Sequence, residues 1–163
     1  QHGHAPVEQL RGSIQATSGR LSVTGTVSPG GQLGRYAASI TLPSAGEWSI
    51  TIRSGFGKSD ITLVPLAAVE HGTSLTRVPG DVERGRRLFV AKGCVTCHEQ
   101  IGVGPNLTGK RFDVAYISAF IANPPSTPSR QGGSPMPNLG LQQREVTSLV
   151  AYLNSDRQVL ESR

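Results

Sequence analysis

A chain of 163 residues has room for one domain or two small ones, and it is rich in glycine (20) and proline (11) with only 5% aromatic residues. Its net charge of +5 comes from basic residues scattered over both halves, with no nucleic-acid-binding motif among them, so the charge does not point to nucleic acid. It contains no run of about 18 apolar residues, which excludes a membrane-spanning helix within this sequence.

Residues 1 to about 18 are polar and mixed, and read as an arm with one short strand. The opening Gln1-His2-Gly3-His4 reads as a mature or trimmed start without a signal-peptide pattern. His2 and His4 are candidates for a copper or other metal site with the terminal amine, set against a loosely held chain end.

From Arg20 the apolar period becomes two. Leu21, Val23, Gly25 and Val27 alternate with Ser22, Thr24 and Thr26, then Ser28-Pro29-Gly30-Gly31 turns. Tyr36, Ala38, Ile40 and Leu42 form a second run, Trp48, Ile50 and Ile52 a third, and Ile61, Leu63 and Pro65 a fourth. Short strands at regular spacing with one apolar face predict an antiparallel sheet or sandwich, with Trp48 anchoring its core. The phrase Tyr36-Ala37-Ala38-Ser39-Ile40-Thr41-Leu42-Pro43-Ser44-Ala45-Gly46-Glu47-Trp48 resembles the closing hairpin of FixH-like and CopC-like periplasmic β-sandwich domains, over about residues 33 to 66. That resemblance implies a fold and not a copper site, because no His, Met or Cys lies between Gly19 and Pro65. So few strands are thin for a full sandwich, and the sheet is expected to need a cover for its exposed face or edge.

Ala67 to Gly80 lacks periodicity. The expected organisation is therefore a β-sandwich-like domain with its arm at 1–66, a linker at 67–79 and an all-α domain at 80–163. His71, in the linker, reads as a solvated loop histidine rather than a ligand.

Asp81 is placed to cap a helix running from Val82 to about Lys92, with Glu83 in its first turn and Gly93 ending it. There follows Cys94-Val95-Thr96-Cys97-His98, which holds the only two cysteines of the chain. Cys-x-x-Cys-His is the attachment signature of a c-type haem. On a helical turn the two thiols share a face and both reach the vinyl groups to form thioethers, while His98 swings under the iron as proximal ligand. A structural zinc site wants about four protein ligands, and the chain offers no second cysteine pair. A thioredoxin-like dithiol wants a βαβ setting that the flanks lack, and a disulfide across the motif would leave His98 unexplained.

Gly85-Arg86-Arg87-Leu88-Phe89 through His98 closely resembles the single-haem, class I-type cytochromes c. The resemblance implies an N-terminal helix crossing a C-terminal helix from about Gln142 to Asn154, with close approach at a glycine and Phe89 and Tyr152 in contact. Gly102-Val103-Gly104-Pro105-Asn106-Leu107 resembles the family's Gly-Pro-Asn-Leu loop, which implies that the Pro105 carbonyl accepts a hydrogen bond from His98 and orients it. Asp113 to Ala122 reads as a short middle helix. A proline-rich loop follows, in which Pro135 and Pro137 flank Met136, the only methionine. Methionine is commonly a core filler, but the two prolines restrict the backbone around this one. The family places its distal ligand in such a loop, which implies Met136 as the sixth iron ligand.

His/Met coordination makes one-electron transfer the economical function, with one covalent haem c and no catalytic residues. The expected partners are redox proteins or a membrane-bound electron-transport complex, respiratory or photosynthetic, docked through the β-domain. The expected location is the periplasmic or extracytoplasmic face of a bacterial membrane, since covalent haem attachment takes place outside the cytoplasm. Two other readings stay open at this point. One is a haem enzyme module, a peroxidase or dehydrogenase subunit, in which Met136 leaves the iron open. The other is a mainly structural docking subunit, which predicts a large apolar face on the sheet. Arg84, Arg86, Arg87, Lys92, Lys110 and Arg111 flank the attachment motif, either as a steering ring for an acidic partner or as a solvated helix face.

Overall fold

A computed structural model describes residues 7–56, 60–73, 80–124 and 136–155. The chain divides into two compact units, 1–77 and 78–163.

In the first unit β1 (Ser13–Ser18), β2 (Leu21–Pro29), β3 (Tyr36–Ala38), β4 (Gly46–Arg53) and β5 (Asp60–Thr62) form an antiparallel sheet in the order β3-β2-β1-β4-β5, and β6 (Leu66–Ala68) pairs with β4. This is one connected, curled sheet rather than two stacked ones, so the sandwich-like expectation is met only in its antiparallel strands. Ala16 and Trp48 are fully buried and Ile50 nearly so, and Ile14, Val23, Ile40, Leu42, Ile52, Leu63 and Ala68 pack against them. The Trp48 indole donates to the Ser44 carbonyl at 3.1 Å, which satisfies its buried N–H.

The one short strand expected in the N-terminal arm is β1, and it lies inside the sheet, paired on both sides by β2 and β4. Two features differ from the strand pattern. The run from Tyr36 to Leu42 leaves the ladder after Ala38. Ile40 then lies across the concave face, where a Cβ on Gly25 would sit 2.7 Å from its Cγ2 and from the Ser39 carbonyl oxygen. Glycine at 25 is what admits that crossing segment. Ala67 and Ala68, expected in the linker, belong to β6. Between the pairs Thr51–Thr62 and Trp48–Leu66 the chain opposite β4 advances by one residue more than β4 does, a bulge that holds Pro65 off the ladder.

The convex face is hydroxyl-rich. Thr51 and Thr62 share a hydrogen bond of 3.0 Å, Gln15 donates to Ser22 at 3.1 Å, and Arg53 donates to Gln15 at 3.2 Å and pairs with Asp60 at 3.3 Å. This polar surface stands where the docking reading predicts an apolar one.

The second unit consists of α1 (Asp81–Ala91), α2 (Val114–Ala122) and α3 (Gln143–Leu153), with a wide turn at Thr96–Gln100. Its core joins Phe89 of α1 and Ile117 and Ile121 of α2 to Val146, Leu149, Val150, Tyr152 and Leu153 of α3. Gly80, not Asp81, is the N-cap of α1. Asp81 is the first helical residue, and its carboxylate is taken up by Arg84 at 2.7 Å and by the buried Ser148 hydroxyl of α3 at 3.3 Å. Asp113 caps α2 by accepting from the Tyr116 N–H at 2.8 Å, and Gln142 with Glu145 forms a reciprocal capping box on α3.

Helices α1 and α3 cross at Gly85. A Cβ there would fall onto the Ser148 carbonyl oxygen and 2.6 Å from Tyr152 Cβ. One turn along, Phe89 and Tyr152 meet with ring centroids 5.5 Å apart and planes tilted by 55°. Lys92 then pairs with Glu145 at 3.0 Å.

Candidate haem site

The site begins where α1 ends. Lys92 N–H bonds back to Leu88, Gly93 N–H to Val90, and Gly93 takes a positive φ of 77° that stops the helix and redirects the chain. The segment from Cys94 then winds more widely than the regular turn expected from the spacing: Ile101 N–H reaches five residues back to the Thr96 carbonyl at 2.9 Å. This wide turn carries Cys97 and His98.

The loop after it folds back on the histidine. Gly104 N–H donates to the Cys97 carbonyl at 2.8 Å. His98 Nδ1 lies 2.9 Å from the Pro105 carbonyl oxygen. A carbonyl only accepts, so Nδ1 carries a proton, and in the neutral ring it is Nε2 that has the lone pair. Gly104 lies against the imidazole itself, with a Cβ at that position 2.7 Å from Nδ1 and 2.8 Å from Cε1. Two faces of the ring's environment, a carbonyl and a bare glycine, thus fix its plane. The role of Gly104 was readable only as part of a loop phrase, because its contact with His98 is a tertiary one.

Cys94 and Cys97 are free thiols, both half-buried. Burial, aided by Cys97 and opposed by Lys92, pushes the Cys94 thiol up to about 11 from an ordinary 9.0. At neutral pH it is a protonated thiol in apolar surroundings. Cys94 packs against the helical core together with Val95, Leu107, Phe112, Phe120, Leu141 and Met136, all of them partly exposed. The structure therefore brings Met136 into the same apolar cluster as Cys94, and Pro105 into contact with His98.

These residues suit a covalently held, flat, apolar macrocycle with a metal at its centre. Two unpaired thiols stand three residues apart, the adjacent imidazole is held through Nδ1 so that Nε2 is the nitrogen left for a metal, and the half-buried apolar side chains packed on the helical core include a thioether. His71 lies elsewhere, exposed in a turn of the first unit, and His2 and His4 lie outside the described residues. Among the described residues no group of three or more His, Cys, Asp or Glu is arranged around a common point.

The charges near the motif are largely internal to the unit. Arg84 pairs with Asp81 at 2.7 Å, Arg86 and Arg87 share Glu83 at 2.9 and 2.8 Å, and Lys92 takes Glu145. The Arg86 hydrogen bond, with Arg87 beside it, holds the Glu83 carboxyl below its usual range. The Arg111 guanidinium donates to the Asn154 carbonyl. The Asn154 side chain accepts from Phe112 N–H at 2.8 Å and donates to its carbonyl at 3.2 Å, tying the loop before α2 to the end of α3. Paired cations of this kind are solvated structural pairs more than a steering ring.

Residues 80–153 match the family model of the cytochrome c oxidase, cbb3-type, subunit III. No curated protein and no solved structure matches the chain. The C-terminal half thus carries a cytochrome c-type domain, which implies haem c and haem-based electron transfer in general. No helix among the described residues is long and apolar enough to cross a membrane.

Proposed function

We propose that the protein is a one-electron carrier with a single haem c, joined by thioethers to Cys94 and Cys97 and ligated by His98 and Met136. The observation that carries this reading is the bond from His98 Nδ1 to the Pro105 carbonyl, which presents Nε2 as a ready metal ligand of fixed orientation. The group held there supplies reversible one-electron iron chemistry, with a thioether ligand favouring the reduced state.

The chain's own residues do the rest. The Pro105 carbonyl and Gly104 hold the imidazole plane. Leu107, Phe112, Phe120 and Leu141 pack, as Cys94 does, against the helical core and give the unit apolar surface for the group. Gly85 lets α1 and α3 lock the unit behind the motif. A rigid site of this kind needs little rearrangement between oxidation states.

The carrier works on the extracytoplasmic side of a bacterial membrane, as a subunit of, or a shuttle to, a membrane electron-transport complex. The match to an oxidase subunit domain supports such a partner. The β-domain docks the carrier, and its hydroxyl-rich convex face does not supply the broad apolar contact that a mainly structural docking subunit would use. Because the basic side chains around the motif are mostly paired within the unit, binding to the partner is set by contacts more than by long-range attraction.

The test is a comparison of the purified holoprotein with Met136→Ala. The ferric wild type should show the sulfur-to-iron charge-transfer band, and the variant should lose it. The variant's reduction potential should fall, and its reduced form should take up carbon monoxide. A variant that keeps the band removes Met136 from the ligand set.

A further inference from the structure

We propose that Asn138 and Asn123 are positioning residues for Met136, acting through one hydrogen bond that fixes the backbone immediately after the thioether. This rests on the reading of Met136 as an iron ligand.

The Asn138 side chain is used at both ends. Its Oδ1 accepts from the Gly140 backbone N–H at 2.9 Å. A backbone N–H can only donate, so the atom facing Gly140 is the oxygen and the other is the amide nitrogen. That nitrogen donates to Asn123 Oδ1 at 3.0 Å. Asn123 is the C-cap of α2, a helix fastened into the core by Ile117 and Ile121. Asn138 is thereby tied to a fixed element 15 residues away in sequence, and at the same time made rigid locally by a turn of its own. Gly140, at φ 59°, completes that turn.

Only Pro137 separates this anchor from Met136. Its ring fixes its own φ and keeps Met136, the residue before it, out of the helical region. Few free torsions then remain between the anchored amide and the methionine backbone. Met136 packs against the helical core from that position. The Asn–Asn bond is exposed, so its removal leaves the core intact. Its effect falls on where the thioether sits, that is, on the balance between sulfur on and sulfur off the iron.

The experiment titrates ferric, full-length holoprotein with imidazole and follows the sulfur-to-iron charge-transfer band. Loss of a single hydrogen bond that favours the sulfur-on state should raise the apparent imidazole affinity by roughly 3- to 10-fold. That rise is expected for Asn123→Ala and for Asn138→Ala. Asn123→Asp keeps an acceptor opposite the Asn138 amide and should titrate close to wild type. The double alanine variant should show no more than the larger single effect.

Met136→Ala run alongside separates the two levels. If it retains the band, the ligand reading has failed. If it loses the band while Asn123→Ala and Asn138→Ala titrate like wild type, the ligand stands and the positioning inference is overturned. Effects that multiply in the double variant, or an Asn123→Asp variant as weak as Asn123→Ala, overturn it as well. So does a change confined to thermal unfolding with imidazole affinity unchanged, which would be a merely structural contribution.

Discussion

Gly85→Ala should lower the melting temperature of the helical unit by roughly 8–16 °C, followed by the helix signal in circular dichroism of the holoprotein. The reason is steric and specific. A methyl at residue 85 lands on the backbone carbonyl oxygen of Ser148 and 2.6 Å from Tyr152 Cβ, and a helix backbone cannot turn aside as a side-chain tip can. Alanine in mid-helix ordinarily stabilises by roughly 1 kcal/mol relative to glycine. Forcing a methyl between packed elements costs about 1–3 kcal/mol and more where backbone must move. With both contacts fixed by helix backbone the clash sits at the top of that range and wins, for a net loss of about 2 kcal/mol, and a domain of this size loses about 4–8 °C per kcal/mol. Prising the helices apart also separates Phe89 from Tyr152 and stretches the Asp81–Ser148 contact. A Gly85→Ala protein as stable as wild type would mean that the helices do not cross in contact at this point.

Gly104→Ala should change the electron chemistry with little loss of fold. A Cβ at 104 would stand 2.7 Å from His98 Nδ1, the same atom that the Pro105 carbonyl holds at 2.9 Å. The ring must tilt, and the Nδ1–H bond to Pro105 weakens. That bond makes the imidazole a stronger donor, which favours the ferric state. Its loss should raise the reduction potential. If ferric ligation weakens tenfold relative to ferrous, the rise is about 59 mV, so a shift of roughly 30–60 mV is expected by spectroelectrochemistry. Pro105→Ala keeps a carbonyl at the same position and should shift the potential less. A Gly104→Ala protein at the wild-type potential would show that the histidine's orientation does not depend on this glycine.

What the sequence made legible follows from how local each feature is. The ends of α1, α2 and α3 were readable to within a residue or so because capping and apolar period are short-range properties. The Cys94-x-x-Cys97-His98 motif needs only one turn of backbone, and the Phe89–Tyr152 contact came with the family likeness. Features made by distant residues were not legible. β1 has only Ile14 and Ala16 as apolar side chains on its concave side, too few to mark it as the strand between β2 and β4. Ile40 keeps its inward position although its backbone leaves the sheet, because Gly25, in a different strand, opens the space. Asp81 looked like a cap because its type and place suit one, and only the fold brings Ser148 within its reach. Whether the basic residues form a steering ring or a solvated face stayed open in the sequence, because the carboxylate partners of Arg84, Arg86, Arg87 and Lys92 appear only in the fold. The clamps by Asn154 and Asn138 are side-chain bonds across 42 and 15 residues, which no local pattern announces.

The central claim is that Cys94 and Cys97 both carry one macrocycle. The measurement that meets it most directly is the mass of the peptide spanning Gly93 to Lys110, released by trypsin from protein made in cells with a haem-attachment system. The account predicts that this peptide carries the mass of one haem, retained under denaturing, acidic conditions, and that Cys94→Ala and Cys97→Ala together abolish it. A peptide recovered at its unmodified mass, with both thiols free to alkylate, would contradict it.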